Sequence, residues 1–430
     1  MKMLRNILVI CVLTVLGMCP IMAQTIKPAK KVLIRYATAH VGNGERIDNA
    51  LFGFQGNEII LLADGNKSRV NVLDYDSIID AEGKHIYPGF IVMDSRLGLV
   101  EIGAVRATHD YDETGDFTPN VRTLPAFNTE SKVIATVKTN GVLMGQIAPS
   151  GGVLSGSSSC MHFDGENWQD AKVRADEGVY LNWPNGYRYK GWWAEPGEAK
   201  SNDKYAERRK EIVAFFEDAR AYLLDSNQAE KNLRFESMRG LFNGKKRLYI
   251  RADWAKDIID AVLFYRESGV KNMAIVGGAE AHLVTTELTE NSVPVVIDRV
   301  HKLPSHLDDP LDQPFKLASQ LVAAGVEVSF ATSGDMEAMI SRNLPFQVGT
   351  AVFHGLEYEK AIQAITLNPA KLMGIDSKYG TIESGKRATF FISEGDALDI
   401  STNNISTIFI EGNVVDLENH QIQLYEKFKN

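Results

Sequence analysis

The chain has 430 residues and a net charge of −9 at pH 7, and hydrophobic residues make up 44% of it. This length can bury one large core and a smaller one, whereas the acidic balance excludes a surface built to bind nucleic acid. No repeat of 20 to 50 residues and no low-complexity linker divides the sequence, so its domains are inferred from the pattern of apolar residues.

The first segment has the layout of a secretory signal peptide. Lys2 and Arg5 precede an apolar run over 7–16, and the small residue Ala23 follows it. Because a membrane-spanning helix needs about 20 apolar residues, we expect cleavage near Ala23, no transmembrane segment, and export to the periplasm or the medium. A lipid anchor at Cys19 is the alternative, but the residue before it is larger than a lipobox requires.

Two β-rich segments lie at opposite ends of the predicted mature chain. The first, over 31–80, has short apolar runs separated by Asn-Gly and Gly-Asn turns, which are typical of hairpins. The second contains YGTIESGKRATFFI and TIFIEGNVVD, again with glycine turns. Together they predict one small β domain assembled from residues 24–87 and 376–430.

Strands alternate with helices between these two segments. RLYIR (247–251), NMAIV (272–276) and VPVVI (293–297) are short apolar runs, each followed by a longer polar or amphipathic segment. This alternation predicts parallel strands with right-handed crossovers, and its length favours a (β/α) barrel over 88–375 rather than an open sheet. A late helix is predicted in EKAIQAITLNPAKLMG, interrupted at Pro369.

Residues from about 176 to 246 do not fit one strand–helix unit and predict an insertion. It combines an aromatic loop with a long charged helix that begins near Asn202. The rings of the loop either form a stacking surface for a ligand or partner, or cover the barrel. These aromatic residues are Trp183, Tyr187, Tyr189, Trp192 and Trp193.

Several motifs, taken in order, resemble the amidohydrolase superfamily and most of all its imidazolonepropionase-like branch. The segment AEGKHIYPGFIVMDSRLGL (81–99) is similar to the start of that family's first barrel strand. The other similar segments are GDFTPNVRTLPAFNTES (115–131), IAPSGGVLSGSSS (147–159), GGAEAHLV (277–284), RNLPFQVGTAV (342–352), ITLNPAKLMGID (365–376) and YGTIESGKRATFFI (379–392). The resemblance implies a distorted TIM-like (β/α)8 barrel, a β-sandwich built from both chain ends, and a divalent metal cofactor.

The resemblance also locates the metal ligands. Active members hold the metal with a His-x-His pair after the first strand, histidines on the fifth and sixth strands, and an aspartate after the eighth. The corresponding residues here are Asp94 and Arg96, then Arg251 and Gly277, then Asp335. Because arginine offers no lone pair to a metal, the resemblance implies a degenerate site that binds no divalent metal.

Five residues are therefore candidates for a site at the barrel mouth. Asp94 and Asp335 are candidate catalytic carboxylates, because paired carboxylates can share a proton and work without a metal. Arg96, Arg251 and His282 are candidate ligand-binding residues. We expect the two aspartates and two arginines to form a neutral ion-pair cluster; the alternative is that they are solvated residues at strand ends.

A different metal site is an alternative in DRVHKLPSHLDDP. His301, His306, Asp308 and Asp309 bring two imidazoles and two carboxylates close together in sequence. Their spacing matches no known ligand motif, and a polar loop after a strand is the commoner explanation.

Two functions follow from this pattern. The resemblance implies a hydrolase of non-peptide carbon–nitrogen bonds. The replaced histidines favour the alternative, a catalytically inactive amidohydrolase-like protein that binds a small-molecule ligand or pairs with an active homologue in the periplasm. A homo-oligomer also remains an alternative, and no motif in the sequence identifies a substrate.

Overall fold

The computed structural model describes residues 29–192, 195–225, 230–306, 308–334 and 336–429. The predicted signal peptide and the candidate residue Asp335 lie outside the described residues. No helix in the described part of the chain is long and apolar enough to cross a membrane.

The strands form two large sheets and one hairpin. Numbered in chain order, they are β1 (Lys31–His40), β2 (Arg46–Gln55), β3 (Glu58–Asp64), β4 (Ser77–Asp80), β5 (His85–Pro88), β6 (Phe90–Ser95), β7 (Val142–Ile147), β8 (Leu154–His162), β9 (Lys172–Asn182), β10 (Tyr187–Trp192), β11 (Glu195–Ser201), β12 (Arg247–Ala252), β13 (Met273–Gly277), β14 (Val295–Ile297), β15 (Val328–Phe330), β16 (Phe390–Ser393), β17 (Ile405–Ile410) and β18 (Asn413–Val415).

Most of the helices lie outside the second large sheet and cover it. They are α1 (Lys132–Lys138), α2 (Trp168–Ala171), α3 (Tyr205–Leu224), α4 (Leu233–Phe242), α5 (Ala255–Ser268), α6 (Thr285–Glu290), α7 (Gln313–Ala323), α8 (Glu337–Ile340), α9 (Leu344–Phe353), α10 (Tyr358–Ala364), α11 (Leu367–Leu372) and α12 (His420–Phe428). Short 3-10 turns cover Val72–Asp74, Arg106–Thr108, Leu124–Ala126, Ala281–Leu283 and Ser341–Asn343.

The first sheet joins strands from both ends of the chain. Its order is β18-β17-β16-β5-β1-β2-β3, and β4 also pairs with β1. Rings from distant segments meet in its core, because Phe390 packs edge-on against Phe52 and stacks on Phe409, each at 4.7 Å between ring centroids. The structure thus has a strand-rich domain assembled from both chain ends, while its boundaries at 87/88 and 375/376 stay a prediction.

The second sheet forms a distorted barrel, as predicted. Its order is β15-β14-β13-β12-β9-β8-β7-β6, and a bridge between Met93 and Ala331 joins its two edges. β8 runs antiparallel to both β7 and β9, whereas the strand pairs from β9 through β12 to β15 are parallel. This antiparallel strand distorts the barrel from the regular TIM arrangement.

Side chains alternate between the barrel interior and the helix layer. On β12, Leu248 and Ile250 belong to the core shared with the helices, whereas Tyr249 belongs to a separate inner core. Since successive residues of a strand face opposite sides, Arg251 shares the inner side with Tyr249. The alternation therefore directs Arg251 into the barrel.

The late helix is interrupted before its proline rather than at it. α10 ends at Ala364, and α11 begins at Leu367 after Thr366, whose φ of −132° and ψ of −80° are not helical. Pro369 is the third residue of α11, where a backbone N–H has no partner within the helix. The predicted interruption at Pro369 is wrong, because proline is tolerated in a first turn.

The segment predicted as an insertion begins with a barrel strand. Because β9 continues to Asn182, the chain leaves the barrel sheet only after that residue, and it returns at β12. Trp183 is buried and its ring lies 5.4 Å from Phe264, so this tryptophan covers the barrel. Tyr187 is exposed. The side chains of Tyr189 and Trp192, and all of Trp193, lie outside the described residues.

One turn of the first sheet allows a direct test of its packing. Glu411 and Gly412, between β17 and β18, both have positive φ, 48° and 78°, which is the pattern of a type I′ turn. A Cβ on Gly412 would overlap the carbonyl oxygen of Gly56. We expect Gly412→Ala to lower the free energy of unfolding by about 2–3 kcal/mol in urea denaturation.

Gly83 provides the matched control for this substitution. Its φ is 76°, but a Cβ there would meet no atom within 4 Å. Gly83→Ala should therefore show only the conformational cost, about 1 kcal/mol. Equal losses for the two variants would mean that the contact between the two chain ends contributes nothing.

Candidate functional site

An ion pair between Asp94 and Arg251 lies at the carboxyl-terminal mouth of the barrel. Arg251 Nε donates to Asp94 Oδ2 at 3.2 Å, and its Nη2 donates to Oδ1. The carboxylate side chain is only 5% exposed and the guanidinium side chain 21%. The remaining donors are also used, because Nη1 bonds Asn182 Oδ1 at 3.1 Å and Nη2 bonds Pro149 O at 2.9 Å.

The conformation of Asp94 directs its side chain into this pair. The pairing of β6 with β7 shifts register between Val92 and Ser95, and Asp94 lies in this irregularity with a φ of +46°. A non-glycine residue in that region is strained, although aspartate tolerates it better than most. The strain is offset by the ion pair and by Ser333 Oγ, which donates to Asp94 Oδ2 at 3.0 Å.

A second layer of polar groups supports the ion pair from inside the barrel. Gln146 Oε1 accepts from the backbone N of Asp94 at 3.2 Å and from Tyr180 OH at 2.6 Å. Its Nε2 donates to Glu177 Oε1 at 2.7 Å, and Tyr249 OH donates to Glu177 Oε2 at 3.1 Å. Burial raises the pKa of Glu177. The chain thus carries a connected polar network where a barrel interior is usually apolar.

Tyr180 connects the network to the guanidinium. Arg251 Cζ lies 4.3 Å from the centre of the Tyr180 ring, which stacks on Tyr249 at 5.0 Å. Burial disfavours the charge of Arg251, but the neighbouring Asp94 outweighs it and raises the pKa of Arg251. Arg251 therefore remains a cation at any pH at which the protein is folded.

Arg96 does not join the pair, contrary to the predicted four-residue cluster. Its guanidinium lies 4.7 Å from the centre of the Tyr111 ring, and its backbone N donates to Glu337 Oε2 at 2.9 Å. The cluster is confirmed only for Asp94 and Arg251. The position of its fourth member, Asp335, lies outside the described residues.

Glu337 is a buried carboxyl group that the sequence analysis missed. Its Oε1 accepts from Ser95 Oγ at 2.7 Å and from Ser341 Oγ at 3.3 Å. Burial raises the pKa of Glu337 to about 7, and these hydrogen bonds oppose that effect only partly. A carboxyl group with such a pKa can gain or lose a proton near neutral pH.

His282 lies in a separate small cavity. It occupies the 3-10 turn Ala281–Leu283, and this cavity is also lined by Glu280, Lys302 and His306. Burial lowers the pKa of His282, whereas the hydrogen bond that His306 donates to Glu280 raises the pKa of His306. No contact in the described part of the chain joins His282 to Asp94 or Arg251, so the structure does not bring these predicted site residues together.

The alternative metal site after β14 is not formed. His301 Nε2 and Thr350 Oγ1 are hydrogen-bonded at 2.8 Å, whereas His306 is bonded to Glu280. Within the described ranges, no group of three or more histidine, cysteine, aspartate or glutamate side chains has an arrangement that could hold a metal ion. That alternative is wrong because the two imidazoles have different neighbours.

Comparison with known proteins finds one matching family over part of the chain. The model of the amidohydrolase family matches residues 239–415. Imidazolonepropionase of Flavobacterium psychrophilum is 33% identical over 109 residues, which are 24% of this chain and 26% of that protein.

Residues 239–415 are thus similar to the amidohydrolase family.

Other comparisons agree with this similarity. Imidazolonepropionase of Bacteroides fragilis is 31% identical over 87 residues, 20% of this chain and 21% of the relative. These curated relatives are thus matched over only about a quarter of their length. The solved amidohydrolase from Thermotoga maritima MSB8 superimposes with a TM-score of 0.74 at 22% identity, covering 90% of this chain and 99% of that one. A Xaa-Pro dipeptidase gives a TM-score of 0.55 at 16% identity, covering 90% and 100%. Both likenesses show the shared fold.

The described residues at the superfamily's ligand positions do not fit a divalent metal. Asp94 already accepts hydrogen bonds from Arg251 and Ser333, and the guanidinium is itself a cation. At the sixth-strand position, Gly277 has a φ of 96°, and a Cβ there would lie 2.6 Å from Asp253 Oδ1. This position therefore has no room for an imidazole. Where the resemblance implies ligands that attract a cation, the described residues already include a cation, Arg251.

Proposed function

We propose that this member of the amidohydrolase superfamily binds a small molecule at its barrel mouth and does not carry out metal-dependent hydrolysis. The observation that supports this is the ion pair of Asp94 and Arg251. It provides a permanent cation and its counterion at two positions where the resemblance implies metal ligands. A bound metal would have to break the pair and lie beside a buried positive charge, both of which are unfavourable.

The network behind the pair suits a rigid binding site. Gln146 forms hydrogen bonds with Tyr180, with Glu177 and with the backbone of Asp94. The side chains of the mouth are therefore held in place without a metal. Binding is favoured when a site is already in its final arrangement, because less side-chain entropy is lost on association. The ion pair thus replaces the organising role of a metal.

A second candidate function is hydrolysis of a carbon–nitrogen bond without a metal. The observation in its favour is Glu337, whose pKa of about 7 suits a general acid or base. The name of the matched relatives makes imidazolonepropionate the first compound to test for this activity. Turnover that is lost in Glu337→Gln and unaffected by chelators would support this candidate over binding.

The cellular location of the protein is also a proposal. The layout of residues 1–23 supports export, with cleavage near Ala23, to the periplasm or the medium. Association with an active homologue or a second copy would give an inactive barrel a role there. Fractionation of the producing cells, with amino-terminal sequencing of the mature protein, tests the export proposal.

Metal content tests the proposed function directly. We expect residues 24–430, produced with added zinc, manganese or iron and then desalted, to retain less than about 0.1 metal ion per chain by elemental analysis. The control is the triple variant Asp94→His, Arg96→His, Arg251→His, which supplies imidazoles at three ligand positions and should retain more zinc. One ion per wild-type chain would overturn the proposal.

A further inference from the structure

A cavity of about 400 Å³ lies beside the ion pair, between the loop that follows β6 and the residues that follow β15. Its size suits a small organic molecule. Its lining includes Arg96, His109 and Tyr111 from the loop that follows β6, and Met336 and Met339 from the segment that follows β15.

Arg96 provides a positive charge in this cavity. Its guanidinium rests on the Tyr111 ring, which in turn stacks on His109 at 5.2 Å between centroids. Within the described ranges, its side chain forms no ion pair with a carboxylate, in contrast to Arg251. A partly buried guanidinium held on a ring is oriented to receive two oxygens of an anion.

The two carboxyl groups of the cavity already have donors. Glu101 Oε1 accepts from Asn128 Nδ2 at 3.0 Å and its Oε2 from Ser131 Oγ at 3.1 Å. Glu337 accepts from Ser95 and from the backbone of Arg96. Neither carboxyl group forms an ion pair with the Arg96 side chain, so among the described residues of the cavity the guanidinium has no bonded counterion.

The rest of the cavity is apolar and adaptable. Val100, Val133 and Ala338 line it together with Met336 and Met339. The two methionines are 72% and 48% exposed, although solvated positions normally carry polar side chains. Flexible thioether side chains can adjust to ligands of different shape. The cavity therefore combines one oriented cation with an apolar wall.

We propose that this cavity binds small apolar monocarboxylates, with the carboxylate on Arg96 and the apolar body against Val133, Met336 and Met339. A dicarboxylate is disfavoured because Glu101 and Glu337 would repel its second charge. This proposal rests on the proposed binding function and names the class of its ligand.

The test compares 4-phenylbutyrate with its neutral amide, 4-phenylbutyramide, by calorimetric titration of residues 24–430. We expect the acid to bind with a Kd of about 0.1–1 mM, and the amide to bind at least about tenfold more weakly because it lacks the charge. Arg96→Gln should weaken binding of the acid by about tenfold or more. Met339→Ser should weaken both compounds several-fold.

Arg106→Gln is the matched control, because it removes the same charge from an exposed position of the same loop. It should leave the Kd within about twofold. Equal effects of Arg96→Gln and Arg106→Gln would overturn the proposal in favour of general charge attraction. Equal binding of the acid and the amide would also overturn it. So would the absence of binding at 10 mM ligand, provided that the wild type and the variants have the same melting temperature.

The outcome is distinguishable from failure of the proposed function. Carboxylate binding at Arg96 together with a stoichiometric metal would retain the cavity assignment and overturn the metal-free mouth. A metal-free protein that does not bind the acid would retain the metal-free mouth and overturn the cavity assignment. A protein that retains metal and does not bind the acid would overturn both the metal-free mouth and the cavity assignment.

Discussion

Replacing Arg251 with methionine is expected to lower the free energy of unfolding by about 3–5 kcal/mol, measured by urea denaturation at pH 7. The substitution leaves Asp94 buried with Ser333 as its remaining side-chain donor, and it removes two hydrogen bonds to Asn182 and Pro149. A buried charge without its counterion is among the largest sources of destabilisation by a single substitution.

Two further variants identify the cause of that loss. Asp94→Asn combined with Arg251→Met removes both charges while keeping a residue that tolerates the positive φ, so it should recover at least half of the stability. Arg208→Met removes an arginine whose ion pairs with Asp116 and Glu211 are solvent-exposed, and it should cost at most about 1 kcal/mol. If Arg251→Met costs no more than Arg208→Met, the ion pair at the mouth is not a buried structural unit.

The carboxyl group of Glu337 is expected to make stability fall as pH rises. Its pKa is about 7 in the folded protein and about 4.5 in the unfolded chain. Between these pH values the folded state holds the Glu337 proton more tightly than the unfolded chain does. The stabilisation that this proton provides is therefore fully present below about pH 4.5 and is lost by about pH 8. The shift corresponds to roughly 3 kcal/mol.

The measurement is the difference in unfolding free energy between the wild type and Glu337→Gln, taken from urea titrations at several pH values. This difference isolates Glu337 from Glu177, whose pKa is also raised by burial. It should fall by roughly 3 kcal/mol from pH 4.5 to 8. Glu394→Gln is the control, because Lys84 lowers the pKa of Glu394 and the trend should have the opposite sign. A pH-independent difference would show that Glu337 ionises normally.

These two predictions concern different halves of the mouth. Arg251 and Asp94 neutralise each other inside the barrel, whereas Arg96 and Glu337 face the neighbouring cavity. Loss of the first pair should therefore affect stability most, and loss of Arg96 should affect ligand binding most. A variant series that separates the two effects would show that structural and binding roles have been divided between the two arginines.

Much of the fold could be predicted from the sequence because it depends on local periodicity. Alternating strands and helices predicted the barrel, and apolar runs with glycine turns at both ends predicted a strand-rich domain made from both termini. Arg251 could be placed at the mouth because the resemblance aligns it with a metal ligand on the fifth strand, and a nearby carboxylate was expected because a buried cation requires one. That carboxylate, Asp94, was identified through its position after the first strand.

The remaining features depend on contacts between residues far apart in sequence. Asp94 faces Arg251 only because an irregularity in β6 turns it, and an alternating pattern contains no sign of that turn. Glu337 lies 242 residues from Ser95, its hydrogen-bond donor, and its pKa arises from burial that only the folded chain creates.

The sequence by itself determined the resemblance to the amidohydrolase superfamily, the expectation of a barrel with a strand-rich domain, and the prediction that the metal-binding histidines are replaced, because these depend on which residues are present and in what order. The tertiary structure alone decided which charges pair. Arg96 and Arg251 are equivalent in charge and both lie at strand ends, yet only Arg251 has a carboxylate partner among the described residues. The difference follows from geometry: Arg251 points along the barrel interior toward Asp94, whereas Arg96 lies beyond the end of β6 against Tyr111, where its charge remains available to a ligand.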